Sequence, residues 1–329
     1  SWISHGFHHL AGLEEPQEIF EVGEAGLARL AAPKEGVDRI ESDAIAGWRP
    51  AAGEFLPGTS WRMERRLGGG KAEEVWVATH VGGEGRCVYR FCFQRDRLER
   101  LRRHQPLFER LDDLVGSHPC IARLTRYALT DPPFFVAYEY VPGRPLAAWV
   151  EDLGASAGEP TRLEIIAQVA EALEVAHRAG VVHGDLNPGA ILVADSPSGV
   201  QVRPQAWLTR LGIGLVVSEE TREAIRRLAQ METGGLGAPG PRWDGHFYAA
   251  PEILQGGEPS AQSDLFALGV VAYQLLVGDF MRPLTADWSA QIADPILRED
   301  LAVCLASSPG RRLATAGELA VRLRSVESR

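Results

Sequence analysis

The chain has little cysteine, little lysine and no long apolar run, and each shortage narrows what it can be. Its four cysteines (Cys87, Cys92, Cys120 and Cys304) form no C-x-x-C pair and have no histidine at zinc-ligand spacing. Cys87 and Cys92 fall in an apolar run, where a free cysteine behaves as a small hydrophobe. All four read as reduced thiols, and the expected location is the cytoplasm. The longest apolar stretch, Leu265 to Gly278, is too short to cross a bilayer and suits a buried core helix. Positive charge is in deficit as well, with 34 Lys and Arg against 44 Asp and Glu. The net charge of −10 argues against nucleic acid or an anionic membrane as partner, since both select basic surfaces. Lysine, confined to Lys34 and Lys71, is scarce beside arginine, which reads as coding bias before function. No signal-peptide pattern opens the chain and it begins at Ser1 rather than Met, so a processed or excised fragment is expected.

What is present suits a globular protein. Hydrophobic content of 45% over 329 residues supports a sizeable core, as one large domain or two small ones. Residues 1–23 hold two alternating stretches around a Gly/Glu/Pro turn and predict a β-hairpin, a unit too small to be stable alone. Residues 24–57 are rich in Ala, Pro and Gly and read as a linker with one helical turn at most. Strands are then expected over Arg62 to Leu67, Glu74 to His80 and Arg86 to Phe93, with a glycine turn at Gly68 to Gly70. A helix with Leu98, Leu101, Leu107, Phe108 and Leu111 on one face follows. Two more strands lead through Phe134 to Val141 into a Pro142-Gly143 turn, and from there the pattern is mostly helical. Strands first and helices afterwards predict an α+β, two-lobed layout.

The chain is organised around His183 to Val193, His-Gly-Asp-Leu-Asn-Pro-Gly-Ala-Ile-Leu-Val, which follows an amphipathic segment from Arg162 to Ala179. This stretch resembles the catalytic loop of protein kinases, H-R-D-L-x-x-x-N before a short apolar strand. The resemblance extends from Trp61 to the C-terminus, with motifs in the family's order. It implies a two-lobed kinase-like fold, with an N-lobe over 58–142 (antiparallel sheet plus one helix) and a mainly helical C-lobe over 143–329. Leu67 to Val75 is similar to the glycine-rich loop, with Glu73 where the third glycine belongs and its carboxylate set to repel phosphates. Cys87-Val88-Tyr89-Arg90-Phe91 takes the place of V-A-I-K. Arg90 keeps the charge of the family's lysine but not its shape. For the glutamate that partners this lysine, His104 fits the apolar register, with Glu109 the alternative. Neither restores a Lys–Glu pair, and Glu73 is the expected partner of Arg90. Tyr138 stands as a bulky gatekeeper before a hinge at Glu139-Tyr140-Val141. Val88, in place of alanine, narrows the adenine slot. The resemblance therefore implies a nucleotide set of Gly68, Gly70, Val75, Val88, Arg90, Glu139, Val141, Leu192 and Arg210.

Departures fall on the chemical positions. Asp185 keeps the place of the catalytic base, but Gly184 replaces the loop arginine and Asn187 the loop lysine. The metal-binding Asn is Ala190, and Arg210-Leu211-Gly212 stands where D-F-G is expected. Magnesium needs hard oxygen donors, so no metal site is implied. His-Gly-Asp is also similar to aminoglycoside kinases, which need the same missing donors. Scaffold positions are kept: Tyr248 to Glu252 resembles A-P-E, with Arg312 as its ion-pair partner, and Ser263 to Gly269 resembles the start of the central C-lobe helix, whose Asp264 would hold the catalytic loop. Closing helices are expected over Ile296 to Leu305 and Ala316 to Leu323. Between Ser218 and Met231 a capped helix is expected, either packed under the N-lobe helix as a plug of the cleft or lying on a surface loop.

Trp2 to Gly23 resembles the last strands of class III adenylate/guanylate cyclase domains, and Gly47 to Pro50 is similar to the linker of bacterial cyclase–kinase fusions. The leading reading is a pseudokinase: a regulatory or binding module whose partner is a cyclase domain in the same or a partner polypeptide. The rival is an atypical Ser/Thr kinase, with Asp185 as base and Arg90 and Arg210 as charge clamps. A third reading keeps ATP as a ligand bound without magnesium.

Overall fold

The computed structural model describes residues 2–8, 17–22, 44–83, 85–115, 118–153, 158–195, 204–216 and 247–326. Alternation at the start of the chain forms the expected hairpin. Strands β1 (Trp2–His8) and β2 (Gln17–Val22) pair antiparallel from Trp2↔Val22 to His8↔Gln17, with a bulge between Ser4 and Phe7. The N-lobe sheet comprises β3 (Trp61–Gly69), β4 (Glu73–His80), β5 (Arg86–Cys92), β6 (Leu124–Ala128) and β7 (Phe135–Glu139), in the order β3-β4-β5-β7-β6. Because side chains alternate between faces, odd and even positions of β5 enter different cores. Tyr89 and Phe91 join Trp61, Trp76 and Phe135 in an aromatic cluster on the outer face. Cys92, Val136 and Tyr138 face the other way, against helical residues Leu98, Leu101 and Phe108.

Those helical residues belong to two helices rather than the single one expected. Helix α1 (Arg95–Arg103) ends at His104, and α2 (Gln105–Val115) starts at once. Pro106 is the cause: it has no N–H to give, its ring clashes with the carbonyl four residues back, and it disfavours helical backbone at Gln105. His104 is thus a junction residue, with φ −92° and ψ 0°.

Composition assigned 24–57 to a linker, but residues 44–57 pack on the N-lobe. Leu56 is buried in the outer-face cluster and Trp48 packs at its edge. The Trp48 ring meets Phe91 edge-on with centroids 5.4 Å apart, and the Arg49 guanidinium lies 3.6 Å over the Phe93 ring. The apolar residues are too sparse here for a periodic signal, because the segment is irregular and each side chain meets a different part of the sheet.

After β8 (Arg144–Pro145), the C-lobe is built from α3 (Leu146–Leu153), α4 (Glu159–Arg178), β9 (Ile191–Asp195), β10 (Pro204–Leu208), α5 (Pro251–Leu254), α6 (Ala261–Val277), α7 (Pro295–Cys304) and α8 (Ala316–Val326). A small sheet in the order β10-β9-β8 carries the loop that precedes it. As its continuous apolar run predicts, α6 is buried nearly throughout. A capping box between Ser260 and Ser263 starts it, and Gly278 at φ 81° ends it in the left-handed conformation that glycine tolerates. The expected helix from Ser218 to Met231 lies outside the described residues.

Candidate functional site

Strand register brings the predicted N-lobe residues together. Gly68 pairs with Val75 and Val75 with Arg90, so these three form one row across β3, β4 and β5. Val88 lies opposite Tyr138, and Cys87 opposite Glu139. The β3–β4 turn closes through Gly70 N–H donating to the Glu73 carbonyl at 2.8 Å. Gly69 is at φ 107°, and a Cβ there would lie 2.3 Å from the Glu73 carbonyl oxygen, so only glycine fits.

Glu73 is where the cleft's positive charge is spent. Its Oε1 accepts from Arg90 Nη2 at 2.6 Å, the partnership expected from sequence, and its Oε2 accepts from Arg97 Nη2 at 2.8 Å. Burial works to raise the pKa of Glu73, but the guanidiniums of Arg90, Arg97 and Arg210 outweigh it and hold the carboxyl below its ordinary value. Arg97 was not among the sequence candidates. The readable signal was an arginine beside Leu98 on the apolar side of α1, and the register centred on His104 concealed it. Removing the charge by Glu73→Gln should free both guanidiniums and tighten metal-free ATP by about tenfold, as read by calorimetry in EDTA. Unchanged affinity would exclude Glu73 as an occupant of the phosphate region.

Below the sheet, the His183 to Leu192 loop is pinned by buried Asp264. One carboxylate oxygen, Oδ2, accepts from His183 N–H (2.8 Å) and lies 2.8 Å from His177 Nε2, while Oδ1 accepts from Gly184 N–H (2.9 Å). His183 is fully buried. Its Nε2 lies 3.0 Å from the Thr209 carbonyl, and its Nδ1 accepts from Asp185 N–H at 3.2 Å. That pattern assigns the neutral Nε2–H tautomer, in line with burial pushing its pKa down.

Arg210 completes the site. Its Nη1 is 3.3 Å from Asp185 Oδ2, and its Nη2 donates to Asn187 Oδ1 at 3.0 Å. Asn187 also donates to the Asp185 carbonyl (3.0 Å) and carboxylate (3.3 Å) and accepts from Gly189 N–H (3.0 Å). Two of the departures from the family pattern, Asn187 and Arg210, are therefore joined to Asp185. Arg210 has φ 65°, a left-handed conformation that costs a side-chain-bearing residue about 1 kcal/mol. The next carbonyl, of Leu211, accepts from the buried Tyr138 hydroxyl at 2.9 Å, so the gatekeeper closes the back of the cleft.

Magnesium does not fit these residues. Ala190 is buried and has no side-chain oxygen, Arg210 is a cation, and the Asp185 carboxylate is already paired. Among the described residues no group of His, Cys, Asp and Glu gathers as a metal site. An anion fits better: Arg90 Nε and Arg210 Nε are buried without a hydrogen-bond partner among the described residues. At the hinge, the Glu139 carboxylate turns to Arg123, accepting its backbone N–H at 3.0 Å. Leu192, in β9, lies opposite Trp207 and Pro145.

A sheet lobe with a glycine turn, a helical lobe with a His-Gly-Asp loop, and a pair between buried Arg312 and half-buried Glu252 (2.6 and 2.7 Å) define a kinase-type domain. Residues 61–305 match the protein kinase domain family, and the chain belongs to that family. Among its relatives, the serine/threonine-protein kinase PknA of Corynebacterium glutamicum is 26% identical over 295 residues, spanning 82% of this chain and 57% of the relative. Pkn1 of Myxococcus xanthus, also a serine/threonine-protein kinase, is 29% identical over 226 residues, 67% of this chain and 29% of its own. The chain thus spans little more than half, or less, of the curated relatives it matches. The crystal structure of the Mycobacterium tuberculosis PknI kinase domain has a TM-score of 0.61 at 24% identity, covering 84% of this chain and 99% of that one, which shows the shared fold.

Proposed function

We propose that this domain is a non-catalytic member of its family, a regulatory or binding module that does not perform magnesium-dependent phosphoryl transfer. One observation carries the reading: the Arg210 guanidinium lies on Asp185 where the family places a metal-binding carboxylate. A cation there competes with any divalent ion for the same oxygen. The β1–β2 hairpin fits the reading that a cyclase-tail-like unit precedes the domain, and a cyclase domain in the same or a partner polypeptide is the proposed partner. A cytoplasmic location is proposed with it.

The names of the relatives favour a second reading, an atypical Ser/Thr phosphotransferase. In it Asp185 would accept the proton of a substrate hydroxyl, while Arg90 and Arg210 stabilise charge on the phosphate oxygens. The Nε donors of both arginines, without a partner among the described residues, support anion binding in either case. Phosphate transfer from labelled ATP to the chain and to a generic Ser/Thr peptide, with magnesium, with manganese and in EDTA, separates the two. The expected result is no incorporation above that of Asp185→Asn. Incorporation that Asp185→Asn abolishes would establish the second reading.

A further inference from the structure

We propose that residues 44–57 are a strap through which the preceding part of this chain sets whether Glu73 blocks the cleft. The strap lies before the segment 61–305 that matches the protein kinase domain family. Its first attachment is at the end of β5. Ala44 bridges Gln94, and Ile45 N–H donates to the Phe93 carbonyl at 2.8 Å. Ile45 packs with the inner cluster that holds Leu98 and Leu101 of α1. The strap then crosses to the outer face, where Trp48 meets Phe91 and Arg49 covers Phe93. It ends antiparallel to β3, with Gly53 N–H on the Met63 carbonyl, Met63 N–H on the Glu54 carbonyl and Leu56 N–H on the Trp61 carbonyl, each at 2.8 Å.

Phe93 joins the strap to the cleft. Its carbonyl accepts from the strap, while its own N–H donates to the Ala72 carbonyl, in the glycine turn, at 2.8 Å. Gln94, bridged to Ala44, is the N-cap residue of α1, and Arg97 follows on the first turn of that helix. Arg97 and Ala72 bear on the same residue: Arg97 ion-pairs Glu73, and Ala72 precedes it in the chain. A shift of the strap therefore reaches Glu73 from two sides, through the turn that carries it and the helix that holds it. Glu73 has two states in this device, latched on Arg90 and Arg97 or released from them. The latched state fills the anion position of the cleft, and the released state opens it. The segment 93–97 is the element through which the two ends would be coupled, and its equilibrium is what the test reads.

The test uses hydrogen exchange on the full chain, followed in peptides covering 68–75, 95–103 and, as a control for folding, 261–277. Trp48→Ala is expected to accelerate exchange by about tenfold in 68–75 and 95–103 with the control unchanged. A second variant locks the strap by pairing Ala44→Cys with Gln94→Cys, positions that an antiparallel bridge brings within disulfide range. Cys92, whose Sγ donates to the Gln94 carbonyl at 3.3 Å, is replaced by alanine in this variant so that it cannot compete for the new cysteine, and the other native cysteines are buried. Oxidising this variant is expected to slow exchange in 68–75 relative to its reduced form. Equal exchange in 68–75 between oxidised and reduced forms, with changes confined to 44–63, overturns the proposal. The locked variant decides the matter if Trp48→Ala unfolds the N-lobe.

Discussion

The double substitution Ala190→Asn and Arg210→Asp is expected to give this chain a magnesium response that the native sequence lacks. Together with Asp185 the new side chains would present three oxygen donors where the native site presents one carboxylate already paired at 3.3 Å with Arg210. In EDTA the variant should be less stable than the native chain for two reasons. Two carboxylates would face each other without the guanidinium, and asparagine must fit where Ala190 is fully buried, an overpacking cost of about 1–3 kcal/mol. The informative quantity is therefore the change within each protein on adding magnesium and ATP. For the variant, ligand at a hundred times its dissociation constant should add about 2.7 kcal/mol of stability, a clear rise in Tm. For the native chain, ATP in EDTA should stabilise at least as well as ATP with magnesium. A native chain stabilised only when magnesium is present would refute the assignment of Ala190 and Arg210 as lost ligands.

Arg312→Ala should be the most destabilising single change outside the cleft. The Arg312 side chain is fully buried and donates to both Glu252 oxygens, to the Ala306 carbonyl at 2.8 Å and to the Gln262 carbonyl at 2.7 Å. Truncation leaves these acceptors without their donor, and because Glu252 is only half-buried the cost falls at the lower end of the range of about 3–5 kcal/mol for fully buried pairs. Arg312→Lys should recover only part, since an ammonium cannot form the two-pronged contact. The pair also sets a pH dependence. Burial works to raise the pKa of Glu252, but the hydrogen bond from Arg312 outweighs it and holds the carboxyl below its ordinary value. A carboxyl with a depressed folded pKa stabilises the fold above its unfolded pKa and loses that contribution as pH falls through the folded one. Denaturant midpoints should show the native chain losing more stability than Arg312→Ala as pH drops below the ordinary glutamate value of about 4.3. Parallel loss in the two proteins would show that the pair is not the source.

The parts of the fold legible in sequence were those where one residue type has one physical use. Asp264 was legible through the resemblance of Ser263 to Gly269 to the family's central helix, which implies a carboxylate holding the loop, and it accepts from His183 and Gly184 N–H. Ala190 and Arg210 were readable as a loss of oxygen donors, and Glu73 as the partner of Arg90, since charges of opposite sign near one turn attract. Arg97 and the strap were not found. Arg97 works through a long side chain that reaches back to the glycine turn, a distance that helical periodicity does not encode. In the strap, Ile45, Trp48 and Leu56 meet different faces of the sheet, so no repeat links them. The break at His104 was within reach, because Pro106 is a helix breaker wherever it stands.

The near absence of lysine has a practical side. Lys71 stands exposed in the turn between β3 and β4, two residues before Glu73, and Lys34 is the only other side-chain amine. An amine-directed fluorophore at neutral pH therefore has few places to go, and one of them is the lip of the cleft. Arg90, Arg97 and Arg210 do not acylate under these conditions, so an amine-directed reagent would pass the cleft interior by and leave Lys71 and Lys34 as its side-chain targets. The same scarcity that looks like codon usage makes the molecule its own reporter, with a probe placed by the chain in the turn that carries Glu73.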